Sequence, residues 1–195
     1  MGFDLYGLNP QNPNKAVRPT QIDWSKKPTE KERNDYFKSV DDYENKVVGS
    51  YFRANVWYWR PIWQYVTQLC DDILTEKDME RGEYNDGHKI SKTKAKCIAS
   101  RLKKLDRNGD TMEYELLYKQ NMNSLPKEDC SICEGTGMRN DDLGKETRKE
   151  NPEYTCNGCE GKGKRDNFNT HYPFESEIIM QFADFCEQSG GFEIC

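Results

Sequence analysis

Cys130-Ser131-Ile132-Cys133-Glu134-Gly135-Thr136-Gly137 and Cys156-Asn157-Gly158-Cys159-Glu160-Gly161-Lys162-Gly163 are the two stretches that decide how this chain folds. Both match C-x-x-C-x-G-x-G without a gap. Two residues between cysteines let a tight turn aim both sulfurs at one ion. The glycines that follow permit positive φ and close approach of the backbone, so that N–H groups can face the thiolates. Two such turns supply four thiolates, the closed tetrahedral set of a structural zinc site. The spacing therefore predicts Cys130, Cys133, Cys156 and Cys159 as ligands of one structural Zn2+, with no open position for a substrate. Two disulfides or a redox dithiol are the alternative readings of the pairs, and four-cysteine iron–sulfur ligation is a variant of the same geometry. Metal binding contributes on the order of 10–16 kcal/mol to such a segment. The 22 residues between Cys133 and Cys156 are rich in Gly, Asp, Lys and Asn and read as a solvated loop or loose hairpin.

Over residues 130–163 the two octets resemble the cysteine-rich zinc segment of DnaJ-type chaperones. That family carries several such repeats, whereas this chain carries two. The family's signalling tripeptide His-Pro-Asp is absent here. The resemblance thus implies zinc and leaves open the binding of a protein surface, but not the stimulation of a heat-shock chaperone.

The remainder must build a core from a polar composition. The chain has 195 residues, 34% of them apolar and 32% charged, and its mean hydropathy is −1.05. It nonetheless holds 4 Trp, 11 Tyr and 8 Phe, more aromatics than a disordered chain carries. These observations predict a compact aromatic core under a solvated surface. No run approaches the roughly 18 apolar residues of a membrane helix, and Met1-Gly2-Phe3-Asp4-Leu5 lacks the basic start and apolar stretch of a signal peptide. The expected setting is a reducing cytoplasm, with no membrane. A net charge of −5 disfavours a non-specific nucleic-acid coat.

Along the chain, Phe3-Asp4-Leu5-Tyr6 alternates and reads as a strand. Residues 10–50 form a polar insertion with four prolines, mostly loop, with a solvated helix over 29–46. In the aromatic block from Tyr51 to Trp63, a helix is expected to start near Pro61. Its buried stripe would be Ile62, Val66, Leu69 and Ile73. Ser91 caps a helix over 91–105 with Ala95, Ile98, Leu102 and Leu105 inward. Asp110 and Glu113 fit a capping box opening a helix over 111–123, with Met112, Leu116 and either Tyr114 or Leu117 inward. Asp106–Asp110 is not a calcium loop, because Thr111 and Leu117 stand where glycine and glutamate are required. Gly158–Lys164 is not a phosphate loop, because Arg165 replaces the required Ser or Thr. Phe174, Ile178, Phe182 and Phe185 mark a helix over 174–188. Ser189-Gly190-Gly191 stops it, and Phe192–Cys195 is a strand expected beside residues 3–6. Cys70, Cys97 and Cys186 fall on apolar faces and are expected to be buried, inert thiols.

The fold class predicted is α+β: a mainly helical core, a small sheet near the two termini, and a zinc-bound four-cysteine excursion. Its parts are residues 1–129, the zinc pair at 130–163, and a C-terminal helix and strand at 164–195 that complete the core. The two histidines, His88 and His171, sit in no recognised catalytic pattern. Arg53 and Arg60 lie among aromatics, where a guanidinium can stack or hold phosphate. With Trp57, Trp59, Trp63, Asp86, His88 and His171 they are the candidate ligand-binding residues. No catalytic residue is assigned.

Gly2-Phe3-Asp4-Leu5-Tyr6-Gly7, Tyr51-Phe52-Arg53, Asn55-Val56-Trp57, Trp59-Arg60-Pro61, Tyr84-Asn85-Asp86-Gly87 and the stretch from Phe182 to Phe192 resemble small accessory proteins of tailed bacteriophages and prophages, which often carry the same double cysteine unit. The resemblance implies work in the cytoplasm of an infected bacterium. The expected function is zinc-stabilised recognition of a host or phage protein, with the blunting of an antiviral defence as one role it could serve. The alternatives are a small nucleotide-like ligand, bound or turned over at the Trp/Arg/His block, and a zinc ribbon that binds nucleic acid. Residues 134–170 hold 7 Lys and Arg against 8 Asp and Glu, so no basic stripe favours the last.

Overall fold

The structure is a computed structural model that describes residues 2–152 and 154–195. It divides into two units. The first runs to Leu116 and resumes at Pro173–Cys195, and the second is Leu117–Tyr172.

The first unit is built on a four-stranded antiparallel sheet. Its strands are β1 (Gly2–Gly7), β2 (Tyr51–Asn55), β3 (His88–Ser91) and β6 (Gly191–Ile194), in the order β2-β1-β6-β3. The expected meeting of the termini is present. Leu5 pairs with Ile194, and the Asp4 and Cys195 backbones exchange two hydrogen bonds of 2.8 Å. Alternation sets the face: Phe3, Leu5, Phe52, Ala54, Ile90, Phe192 and Ile194 are all buried.

Among the described residues, five helices belong to this unit and a sixth starts in it. α1 (Glu30–Lys46) opens on a capping box between Thr29 and Glu32 and buries no residue, so it is the solvated helix expected at 29–46. α2 (Val56–Leu69) starts five residues before Pro61. Asn55 caps it, accepting from the amides of Trp57 and Tyr58. This overrides the proline signal, and Pro61 sits inside the helix at the loss of one backbone bond. The stripe holds through Ile62 and Val66, but the helix ends at Leu69, and Leu74 rather than Ile73 is buried. α3 (Glu76–Arg81) follows. α4 (Lys92–Asn108) is capped by Ser91 and buries Ala95, Ile98, Ala99 and Leu102. Cys97 lies about 100° round the helix from Ile98 and is exposed, contrary to expectation. α7 (Ser176–Gln188) packs against α4 and buries Ile179, Phe182 and Phe185. Ile179, not Ile178, takes the core position.

The core is aromatic. The Trp59 ring stacks on Trp63 and on Phe3, each at 5.4 Å, and Phe52, Phe182, Phe185 and Phe192 interlock beside it. The division between the units falls inside α5 (Asp110–Ser124). Asp110 is already helical, and the Glu113 amide bonds to the Gly109 carbonyl, so no capping box forms. Met112, Leu116 and Leu117 are more than half exposed, and the inward residues are Thr111 and Tyr114. α5 lacks a sharp apolar stripe, so its neighbours rather than its pattern fix its facing.

The second unit holds a two-stranded ladder, β4 (Glu128–Asp129) with β5 (Lys164–Arg165), and α6 (Asp142–Glu150). The spacer expected as loop thus contains a helix, capped by Asp141 through the Gly144 amide. Among the described residues of this unit, the buried ones are the four cysteines with Gly137, Gly144 and Gly163. Among the described residues, no helix is long and apolar enough to cross a membrane.

Candidate metal centre

The two octets fold into two matching knuckles that face each other. Equivalent positions lie 26 residues apart. Glu134 and Glu160 both take the left-handed conformation at φ 52°, and the glycine after each continues it, so the chain doubles back under its own sulfurs. The Cys130 amide donates to the Gly163 carbonyl and the Cys156 amide to that of Gly137, both at 2.8 Å. The last glycine of each octet lies against the other octet. A Cβ on Gly137 would sit 2.4 Å from the Gly161 carbonyl oxygen, and one on Gly163 would sit 2.3 Å from that of Gly135. The C-x-x-C-x-G-x-G spacing is therefore a packing requirement between the repeats.

This folding brings all four sulfurs within 4.8 Å of one another, every one of them buried. Cys130 Sγ lies 3.9 Å from Cys156 Sγ, and Cys133 Sγ lies 3.6 Å from Cys159 Sγ. A tetrahedral ion with metal–sulfur bonds of about 2.3 Å would space its ligands by about 3.8 Å. The donor set fits one metal ion held on four sides.

The surroundings favour charge unequally. At Cys130, burial opposes the thiolate, but the amides of Ile132 and Cys133 and the neighbouring sulfurs outweigh it, and the thiol's pKa is lowered. At Cys159, burial and the three other sulfurs push the thiol up against the Gly163 amide, which donates to its sulfur at 3.2 Å. Four thiols this close share charge poorly without a cation, which is the electrostatic demand a metal ion meets.

The other candidate residues do not converge. Trp59 and Trp63 are at most 1% exposed. Their Nε1 groups donate to the carbonyls of Gly82 and Met79 at 2.8 and 2.9 Å. They are core, not the wall of a ligand pocket, which corrects the expectation for this block. Trp57 is partly buried on the first turn of α2. Arg53 and Arg60 are exposed and form ion pairs with Asp4 at 3.6 Å and Glu83 at 3.2 Å. Asp86 pairs with Arg81, and with His88 it lines a shallow open cleft of the first unit. His88 Nε2 lies 2.9 Å from Asp78 Oδ1. His171 belongs to the second unit, where its Nδ1 lies 3.0 Å from the Phe168 carbonyl oxygen.

Two residues escape the sequence reading. Asp78 is 5% exposed and gathers Thr75, His88 and Lys94. Burial works against its charge, but Lys94, Thr75 and His88 outweigh that and hold its carboxyl well below the usual carboxylate range. The Thr75-x-x-Asp78 spacing is a capping-box signature that could have marked it. The other is Arg165, which lines a cleft of about 620 Å3 beside the second knuckle. Comparing the residues that follow each octet would have drawn attention to it. No protein-family model, curated protein or solved structure matches the chain.

Proposed function

We propose that this chain is a zinc-stabilised binding protein that recognises another protein, and that it serves a tailed bacteriophage as an accessory factor inside the infected bacterium. The observation that carries the reading is the closed, buried set of four sulfurs. Zinc suits a tetrahedral thiolate set, and with all four positions taken by cysteine it keeps none for a substrate. The metal therefore holds a shape, and the function belongs to the surface it shapes. Sealing of Trp59 and Trp63 in the core removes the stacking platform on which a small-nucleotide site would depend. Blunting of an antiviral defence is the biological role this reading favours.

The test is affinity capture with the zinc-loaded full chain from phage-infected cells, with and without nuclease. The expected result is a stoichiometric protein partner that survives nuclease. Recovery of nucleic acid alone, or of no stoichiometric partner, contradicts the reading. Native mass spectrometry checks the metal, with one zinc per chain expected.

A further inference from the structure

The two knuckles match so closely that their differences are informative. In the first repeat, Arg139 follows the octet and its charge is neutralised from within. Its Nε donates to both oxygens of Asp141 at 2.8 Å, Nη2 lies 2.8 Å from Asp141 Oδ2, and Nη1 reaches Asn157 at 3.3 Å. Twenty-six residues on, Arg165 holds the equivalent place, but the position of Asp141 is filled by Asn167. Asn167 is neutral, and its Oδ1 accepts from the Asn169 amide at 3.0 Å.

Among the described residues, Arg165 is consequently left without an acid. Its Nε is buried with no hydrogen-bond partner. Its guanidinium rests on Gly158, where a Cβ would lie 2.0 Å from Nη2. Glu128 is its neighbour across the β4–β5 ladder, yet the two form no ion pair among the described residues. The other cations of the cleft are satisfied: Lys127 by Asp166 at 3.1 Å, Lys162 by Glu160 at 2.7 Å and Lys164 by Asp129 at 2.7 Å. A half-buried guanidinium lacking its counter-ion is costly, and a planar carboxylate is the group its fork fits. Beside it stands the ring of Phe168, 54% exposed and 5.7 Å from that of His171.

We propose that the cleft beside the second knuckle is a docking site in which Arg165 receives a carboxylate of the partner protein and Phe168 receives the apolar or aromatic side chain next to it. This rests on the protein-binding reading and names the partner's chemistry. The incoming carboxylate takes the role that Asp141 plays in the first repeat. A polyanionic backbone fits less well, because Glu128, Asp129, Glu160 and Asp166 line the same cleft and nucleic-acid grooves are dominated by cations.

The test follows the Arg165 Nε–Hε signal of the zinc-loaded full chain by NMR during titration with acetyl-Asp-Phe-amide. Acetyl-Asn-Phe-amide and inorganic phosphate are the comparison probes. A single carboxylate with one ring should give a saturable shift with a dissociation constant on the order of 10 mM. The asparagine peptide should bind about tenfold more weakly. Arg165→Gln lacks the Nε–Hε signal, so it is followed through the backbone amides of Gly158 and Phe168, which shift with the peptide in the unsubstituted chain. It should lose their saturable response with zinc retained, and Glu128→Gln should tighten binding by about two- to threefold by removing the competing charge. Equal binding of the two peptides, no saturable shift, or tighter binding of phosphate than of the Asp peptide overturns the proposal. A captured partner that Arg165→Gln still holds also overturns this site, while leaving the protein-binding reading intact. Capture of no protein at all overturns that reading instead.

Discussion

The two units of this chain are held together by different physics. The first buries Trp59, Trp63, six phenylalanines and a set of aliphatic side chains over a sheet that joins the termini. Burial of one such side chain stabilises by about 1.5–3 kcal/mol, and the first unit has many. The second unit buries four cysteines and three glycines among its described residues, and no aliphatic or aromatic side chain. A segment this small and this polar cannot offset its conformational entropy by apolar burial alone. The four sulfurs could hold one metal ion, and on the proposed reading that ion supplies what burial does not. The comparison teaches that metal content and aromatic packing are separate levers on one chain.

Substitutions should therefore divide by unit. The largest effect expected is from Cys159→Ser, which removes one of four thiolates. Much of the metal's contribution of about 10–16 kcal/mol should be lost, and NMR should show collapsed dispersion for residues 117–172 with the first unit's signals in place. Trp59→Ala should do the reverse. It should cost the first unit about 3–5 kcal/mol, read by denaturant unfolding, while zinc stoichiometry by mass spectrometry stays at its wild-type value.

Asp78→Asn comes next. It leaves Lys94 and His88 facing a neutral partner and should cost about 3 kcal/mol at pH 7. Asp78's carboxyl is held below its unfolded value. Its stabilisation is thus complete above the unfolded value of about 3.9 and is lost as pH falls through the lower folded value. The gap in thermal stability between wild type and Asp78→Asn should close on acidification below about pH 4. A gap independent of pH would contradict the ionic account. Gly137→Ala should have the smallest effect, about 1–3 kcal/mol from backbone strain and contact with Gly161. Gly163→Ala should match it if the two knuckles are equivalent. Competition with a chelator for the zinc would measure both, and unequal losses would break the symmetry.

The same contrast explains what is legible in the sequence. The metal centre is readable because ligand spacing is local: Cys130 with Cys133 and Cys156 with Cys159 each fit within one turn. The terminal strands are readable from short alternations, and α4 and α7 from sharp stripes. β2 is not, although Phe52 and Ala54 alternate with Arg53 and Asn55, because the aromatics on both sides mask a period of two. β3 is only four residues long, and its pairing with β6 depends on partners a hundred residues away. The start of α2 is hard to place because two local signals compete, and the Asn55 cap prevails over Pro61. Trp59 and Trp63 look like a ligand platform because composition cannot distinguish a stacked core from a stacked site. Arg165 emerges when the residues that follow the two octets are compared, because Asn167 stands where the first repeat has Asp141; that its Nε has no partner is visible only in three dimensions.

Hydrogen exchange resolved by residue, with and without an excess of a zinc chelator, tests the central claim most directly. The account predicts that chelation removes protection from the amides of residues 117–172, including those of Cys130 and Cys156, while the β1–β6 ladder and α4 keep theirs. Protection of the second unit that survives complete removal of metal would contradict it.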